Sequence, residues 1–244
     1  MNILEHLIST LDADAPVKDI RQGVFHTAVV TRHGGLAATL PRDALRQAPP
    51  MVREPGDLLE RPAGELVRLA FSERILEAAI GMATLNSLLE VDEAACQEVN
   101  AAELILEKGR GRNVAVVGHF PFLPKVREAA RSLWVFDKNP KEGDLEPEQS
   151  AEWIPQADVV AITGTSLTNH TLEDLLALCR PEAFVVLLGD TAPLSPVLFD
   201  YGVDAVSGTR MADPEQVLRC VSQGANFRQI RGVRRLTLRN DGGR

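Results

Sequence analysis

Small hydrogen-bonding side chains are concentrated at residues 163–171, which read Thr-Gly-Thr-Ser-Leu-Thr-Asn-His-Thr. A glycine flanked by hydroxyls can present backbone N–H groups and side-chain hydroxyls to a carboxylate, a phosphate or the edge of a ring. In the alternative interpretation, Asn169 or Thr171 only caps the helix that follows. Capping accounts for one of these residues but not for the whole cluster. The predicted ligand-binding residues are therefore Thr163, Gly164, Thr165, Ser166 and Asn169.

Two aspartates follow other apolar runs and are candidates for chemistry of their own. Asp190 lies within Gly-Asp-Thr-Ala-Pro at residues 189–193, where a carboxylate could act as a general acid or base. Asp137 stands nineteen residues after Gly118, a spacing at which an acidic side chain can accept hydrogen bonds from ribose hydroxyls. For each aspartate the alternative is a residue that only stabilises a turn. We take Asp190 as the candidate catalytic residue and Asp137 as a candidate ligand-binding residue.

The segment Gly-His-Phe-Pro at residues 118–121 also follows an apolar run. It has only the first glycine of the dinucleotide motif G-x-G-x-x-G, so it is weak evidence for NAD, and the cofactor stays unknown. We nevertheless expect this segment to line the site, together with small residues that follow later runs. These predicted ligand-binding residues are Gly118, His119, Phe120, Pro121, Gly189, Thr191 and Gly208.

The sequence does not predict a metal site made of this chain's own side chains. The histidines are His6, His26, His33, His119 and His170, and they form no H-x-H or H-E-x-x-H pattern. The three cysteines include no C-x-x-C pair. We interpret each histidine as a surface or loop residue, with only His119 and His170 near the predicted site.

Five short apolar runs in the second half of the chain must position these residues. They occupy residues 113–118, 133–137, 157–163, 183–189 and 203–208. The runs are almost continuously hydrophobic, which is typical of strands covered on both faces, and helix-like segments separate them. This alternation predicts a parallel sheet with right-handed crossovers, and ligands bind such sheets beyond the carboxyl ends of the strands. Residues 233–238 could add an edge strand.

The first half of the chain has a different sequence pattern. Residues 2–11 have helical spacing, and residues 23–31 and 36–40 predict a hairpin around Gly34-Gly35. A longer helix follows, with Ser72 as its expected N-cap and an apolar side that extends to residue 89. The polar, glycine-bearing stretch 107–112 predicts a domain boundary, which gives domains at 1–108 and 109–244. The fold class is therefore α/β, with a Rossmann-like sheet domain after a smaller α+β domain.

Composition excludes several partners. The formal net charge of −8 argues against nucleic acid and anionic membranes, although six arginines, Arg244 among them, make the last 17 residues basic. The first residues lack the pattern of a signal peptide, and no uncharged run reaches the length of a membrane helix. Three cysteines without a C-x-x-C pair are most simply interpreted as reduced thiols in a reducing compartment, so we expect a cytoplasmic protein with a small-molecule ligand. The sequence leaves open whether the protein forms a homo-oligomer.

The motifs together resemble an uncharacterised family described as "putative heavy-metal chelation". The residues that carry the resemblance lie at 34–37, 81–87, 118–121, 163–171, 189–193 and 202–209. The resemblance implies an enolase N-terminal-like domain followed by a Rossmann-like domain, with a ligand cleft between them. It further implies condensation or hydrolysis of a flavin-, pterin- or siderophore-like compound.

The same resemblance makes Asn86 a site residue that projects from the first domain toward residues 163–171. The alternative for Asn86 is a helix asparagine bonded to nearby backbone. Two other functions stay open: a non-catalytic binding protein that uses the same cleft, and a methyltransferase-like protein that uses S-adenosylmethionine. The single glycine at Gly118 weakens the methyltransferase hypothesis.

Overall fold

The computed structural model describes residues 1–40 and 49–240, so that Arg244 lies outside the described residues. The helices are α1 (Ile3–Ser9), α2 (Ala63–Leu66), α3 (Ile75–Leu88), α4 (Ala101–Gly109), α5 (Leu123–Ala129), α6 (Ser150–Trp153), α7 (Thr165–Thr168), α8 (Leu172–Ala177) and α9 (Pro214–Ser222). Short 3-10 helices occupy Leu58–Glu60, Val67–Phe71, Glu93–Ala95, Pro147–Gln149, Ile154–Gln156 and Pro196–Tyr201. The strands are β1 (Asp19–Gln22), β2 (His26–Val30), β3 (Gly34–Ala38), β4 (Cys96–Gln97), β5 (Asn113–Val117), β6 (Ser132–Phe136), β7 (Val159–Thr163), β8 (Phe184–Leu188), β9 (Ala205–Met211) and β10 (Val233–Arg239). Within the described ranges, no helix has the length and apolar character needed to cross a membrane.

The large sheet confirms the α/β fold class. Its strand order is β4-β10-β9-β8-β7-β5-β6, and the five strands from β9 to β6 in this order pair in parallel. Counted along the chain, the parallel strands have the order 2-1-3-4-5 of a doubly wound fold. The direction of winding reverses between β5 and β7, which makes the carboxyl ends of those two strands the expected ligand crevice. The strand expected at 233–238 is not an edge strand, because β4 pairs with its outer side.

The smaller sheet is an antiparallel meander of β1, β2 and β3, and α3 packs against it. Helix α3 is buried over almost its whole length, because it packs both on this sheet and on the 3-10 helix Val67–Phe71. A separate apolar cluster joins the meander to α9 and β9, and includes Ala28, Leu36, Met211 and Val221. The two sheets therefore meet through a continuous apolar contact rather than through a linker alone.

The boundary at residue 108 stays a prediction. Strand β4 pairs with β10, and the apolar side of α4 packs through Leu104 and Ile105 on the parallel strands. Residues 96–109 thus make their contacts with the large sheet, and these contacts favour a boundary closer to the end of α3.

The N-terminus of α3 differs from the expectation. The N-cap is Arg74 rather than Ser72, and no side chain caps it. The Ser72 hydroxyl instead donates to Glu77, which is 1% exposed and also accepts from the Arg53 backbone N–H and guanidinium. Burial alone would raise the pKa of Glu77, but the hydrogen bonds from Arg53 and Ser72 outweigh it and hold the pKa below its ordinary value of 4.5. Glu77 thereby fastens the segment around Arg53 to α3.

Glu77→Gln should lower the free energy of unfolding at pH 7 by about 2 kcal/mol, because both carboxylate oxygens accept hydrogen bonds and the amide nitrogen that replaces one of them can only donate. A carboxylate with a lowered folded-state pKa stabilises the protein above its unfolded-state pKa and loses that contribution as the pH falls through the folded-state value. The difference between wild type and Glu77→Gln should therefore shrink as the pH is lowered from about 5 to below 4, as measured by urea unfolding.

The matched control for this variant is Glu73→Gln, because Glu73 is exposed and lies four residues earlier. It should change the free energy of unfolding by less than about 0.5 kcal/mol. A Glu77→Gln effect that is independent of pH would contradict the assigned charge.

Candidate functional site

A cavity of about 400 Å³ lies at the point where the winding of the large sheet reverses. Val117 and Gly118 at the end of β5 form one side of it, and Thr163 at the end of β7 forms the other. Its volume falls in the ordinary range for small-molecule sites. The described residues that line it are Leu40, Val117, Gly118, His119, Phe120, Phe136, Asp137, Lys138, Asn139, Pro147, Ser150, Thr163, Thr165, Ser166, Asn169, Thr171, Asp174, Leu175 and Leu178.

The predicted hydroxyl cluster forms the polar wall of this cavity. The hydroxyls of Thr163 and Thr165 lie 3.0 Å apart, and the Ser166 hydroxyl donates to the Thr163 carbonyl at 2.7 Å. Just after α7, the Thr171 hydroxyl donates to the Asn169 side-chain carbonyl at 2.7 Å. Neither Asn169 nor Thr171 caps α8 through its side chain, so the capping alternative does not account for them. These mutual bonds hold the polar groups in place around the cavity.

Aromatic and aliphatic side chains form an apolar wall of the same cavity. Phe120 stacks on Phe122 with ring centroids 5.1 Å apart and an interplanar angle of 10°, so the orientation of its ring is fixed. Phe136, Leu175 and Leu178 extend the apolar surface. A planar ring could therefore lie against the apolar side while its polar edge faces the threonines.

Asp137 lines the cavity at the end of β6. One of its carboxylate oxygens accepts the Asn139 backbone N–H at 2.8 Å, which is the turn role considered as the alternative. The other oxygen has no partner among the described residues, so the turn role and a contact with a ligand are compatible. Lys138 and Asp174 bring further charges of both signs to the rim.

His119 lines the cavity, and its imidazole is paired with the carboxylate of Asp144. Its Nδ1 lies 3.0 Å from Oδ2 of Asp144, whose side chain is 3% exposed, while the His119 side chain is 32% exposed. The pattern Gly-Asp at residues 143–144 resembles any surface turn, and the sequence alone gives no sign of this pairing.

Asp190, the candidate catalytic residue, is not among the described residues that line this cavity. It is 8% exposed, and both of its oxygens are engaged: Oδ2 lies 2.9 Å from Nε2 of His26, and Oδ1 accepts the Thr209 hydroxyl at 2.5 Å. The expectation that His26 is a surface or loop residue was wrong, because it lies in β2 at 5% exposure. The bond between His26 and Asp190 joins the small sheet to the turn after β8.

Asn86 also hydrogen-bonds that turn, and none of its hydrogen bonds goes to residues 163–171. Its Nδ2 donates to the carbonyls of Leu36 at 2.8 Å and Thr191 at 3.3 Å, which is the backbone-bonding alternative. The Thr191 hydroxyl in turn accepts the Ala38 backbone N–H at 2.9 Å. Asn86 and Thr191 therefore connect the two sheets, and neither is among the described residues that line the cavity.

At Gly164 and Gly208 only glycine fits, because the turn at residues 189–193 packs directly against both of them. A Cβ on Gly164 would lie 2.5 Å from the Ala192 backbone nitrogen, and one on Gly208 would lie 2.6 Å from the Ala192 carbonyl oxygen. The role of these two glycines is to allow close packing of the turn beside the site. The predicted residues that line the cavity are Gly118, His119, Phe120, Asp137, Thr163, Thr165, Ser166 and Asn169, whereas Pro121, Gly164, Gly189 and Gly208 are not among its described lining residues.

Several cavity residues were missed by the sequence reasoning. They include Phe136, Lys138, Ser150 and Asp174. Phe136 and Lys138 flank Asp137, so they could have been found by extending the strand-end argument by one residue. Ser150 and Asp174 lie in helices, and their place depends on how those helices pack.

Comparisons with known proteins find relatives for nearly the whole chain. Two family models that share the description "Putative heavy-metal chelation" match residues 4–89 and 100–240. A crystal structure of a protein of unknown function from Desulfitobacterium hafniense is similar, with a TM-score of 0.84, 25% identity and 98% of each chain covered. Another, from Pyrococcus horikoshii, gives a TM-score of 0.82 at 21% identity, again over 98% of each chain.

A relative in sequence is an uncharacterized protein of Methanocaldococcus jannaschii. It is 27% identical over 161 residues, which are 63% of this chain and 62% of the relative. This chain therefore spans less than two thirds of the length of that relative.

Asn86→Asp should lower the free energy of unfolding by at least about 3 kcal/mol, because it replaces a donor by carboxylate oxygen beside two carbonyl oxygens in a buried place. Asn100→Asp is the matched control: Asn100 caps α4 by accepting the Ala102 N–H, and aspartate serves equally well there. It should change stability by less than about 0.5 kcal/mol. Equal effects of the two variants in urea unfolding would contradict the role assigned to Asn86.

Proposed function

Since the chain belongs to the family described as "putative heavy-metal chelation", we propose that it binds a small organic compound of the chelator type in the 400 Å³ cavity. The observation that carries the proposal is the composition of the cavity wall, in which a stacked aromatic ring and a group of threonine and serine hydroxyls line the same space. Flavins, pterins and catechol-type siderophore fragments all combine a planar ring with polar groups at its edge. Such a molecule would satisfy both walls at once.

An organic ligand fits the cavity better than a bare metal ion does. Among residues 1–40 and 49–240, no group of three or more His, Cys, Asp or Glu side chains could hold a metal ion. The cavity has isolated carboxylates at Asp137 and Asp174, and they share its rim with Lys138. A link to heavy metals would therefore run through the organic compound, which the protein binds or modifies.

We favour an enzyme of condensation or hydrolysis over a purely binding protein, because an imidazole with a buried carboxylate partner lies in the cavity wall. Asp190 would not take part directly, because His26 and Thr209 engage both of its oxygens away from the cavity. S-adenosylmethionine is the remaining alternative ligand. A ribose at Asp137 would suit it, but the single glycine after β5 does not favour it.

Thr165→Val tests the binding proposal, because it removes one hydroxyl from the polar wall without a large change in shape. Isothermal titration with flavin mononucleotide, pterin-6-carboxylate and 2,3-dihydroxybenzoate should reveal binding of one of these ring compounds, and S-adenosylmethionine is titrated alongside as the alternative ligand. Thr165→Val should weaken that binding about five- to tenfold, the equivalent of one hydrogen bond.

The control lies in the same helix. Thr168 is buried, its hydroxyl has no partner among the described residues, and it is not one of the residues found in the cavity wall. Thr168→Val should leave the Kd unchanged and should leave stability unchanged or raise it by about 1 kcal/mol. Binding of none of the three ring compounds, binding of S-adenosylmethionine alone, or equal losses in the two variants would each contradict the proposal.

A further inference from the structure

The His119–Asp144 pair fixes which nitrogen of the imidazole carries the proton. Oδ2 of Asp144 lies 3.0 Å from Nδ1 and also accepts the Lys141 backbone N–H at 3.0 Å. An ionised carboxylate can only accept hydrogen bonds, so Nδ1 must supply the proton of the bond to Asp144. In the neutral ring the lone pair then lies on Nε2.

The other nitrogen is available to a ligand. Nε2 of His119 has no hydrogen-bond partner among the described residues, and His119 lines the cavity whereas Asp144 is not among the described lining residues. Since the in-plane bonding directions of Nδ1 and Nε2 diverge widely, the bond to Asp144 leaves Nε2 pointing away from that carboxylate. A basic nitrogen is thus held in place beside the space that a ligand would occupy.

This combination separates His119 from His26, His170 and His33. His26 has Nε2 bonded to Asp190 and Nδ1 near the Ala225 carbonyl, so neither nitrogen is free for chemistry. His170 uses Nε2 to bond the Ala70 carbonyl. His33 has a carboxylate partner in Glu90 and a similar side-chain exposure of 31%, but Glu90 is 72% exposed and His33 is not among the described residues of the cavity wall.

We propose that His119 is a general base in this cavity, that Asp144 positions it, and that the pair hydrolyses esters of planar ring compounds. The proposal rests on the proposed function, because it requires a ring compound in the same cavity. Imidazole is the usual general base of enzymes, and a carboxylate that holds its tautomer is the usual support. The stacked Phe120 and the hydroxyls of Thr163 and Thr165 would orient the ester against Nε2.

The step needs only water as a second reactant. Nε2 accepts a proton from a water molecule, and the freed electron pair of the water oxygen forms a bond to the ester carbonyl carbon. The bond from this carbon to the alcohol oxygen then breaks, and the alcohol oxygen takes the proton back from Nε2. The products are one carboxylic acid and one alcohol, and His119 returns to its starting form.

The first test reads the tautomer directly. Nitrogen-15 NMR of the histidine rings at about pH 9, where free imidazoles are neutral, should show the proton of His119 on Nδ1. Asp144→Ala should shift the ring toward the Nε2–H form, which is the commoner one when no partner intervenes. A wild-type ring with its proton on Nε2 would overturn the proposal without any activity measurement.

The second test is hydrolysis of 4-methylumbelliferyl acetate, an ester of a planar ring alcohol, followed by fluorescence. The wild type should exceed the buffer rate, and His119→Gln should lower kcat at least about tenfold, since general base catalysis contributes that much or more. KM and the Kd for 4-methylumbelliferone should stay within about twofold of wild type, because Nε2 acts on water rather than on the ring. Asp144→Ala should lower kcat in the same direction.

His33→Gln is the matched control, because it removes an equally exposed histidine that also has a carboxylate partner. It should keep the wild-type rate within about twofold, because general base catalysis needs a base placed beside the bound ester. A wild-type rate no higher than buffer, a loss below tenfold in His119→Gln, or an equal loss in His33→Gln would each overturn the proposal. If a ring compound still binds and Thr165→Val still weakens that binding, only the catalytic role of His119 has failed. If no ring compound binds, the proposed function has failed as well.

Discussion

The turn at residues 189–193 receives hydrogen bonds from both sheets. The Asp190 carboxylate bonds His26 of β2 and Thr209 of β9, the Thr191 hydroxyl accepts from Ala38 after β3, and the Thr191 carbonyl accepts from Asn86 of α3. These groups are buried, so each of them would be costly to leave unpaired. A displacement of the small sheet against the large one would break several of these bonds together. The turn therefore fixes the arrangement in which the two sheets meet.

The cavity depends on this turn although the turn does not line it. Gly164 packs against the Ala192 backbone so closely that a Cβ would not fit, and Gly164 leads directly into α7. Thr165 and Ser166 of the polar wall are thus placed by the same backbone that bonds the small sheet. The two histidine–aspartate pairs illustrate the division of roles. Side-chain exposure is 6% and 5% in the His26–Asp190 pair, which suits a structural contact, whereas His119 is 32% exposed over a buried Asp144.

The sequence predicted the large sheet well, because strands covered on both faces leave continuous apolar runs that local pattern can identify. It also predicted that residues 118–120 and 163–169 would meet, since the carboxyl ends of parallel strands share one edge. It did not predict the partners of His26 or Asn86. The His26–Asp190 pair spans 164 residues and the Asn86–Thr191 bond spans 105, so only the packing of the two sheets brings them together. Asp144 was missed for a related reason, since a glycine–aspartate turn is common and only its burial beside His119 distinguishes it. The position of β10 depended on the two-residue strand β4, which is too short to leave a pattern.

The central claim is that the bond between His26 and Asp190 couples the two sheets, and a double-mutant cycle measures this most directly. The free energies of unfolding of the wild type, His26→Ala, Asp190→Ala and the double variant would be obtained from urea titrations. A direct buried bond should give a coupling energy of at least about 1.5 kcal/mol, so that the double variant loses much less than the sum of the single ones. Losses that add within about 0.5 kcal/mol would show that the two side chains do not interact, and would contradict the account.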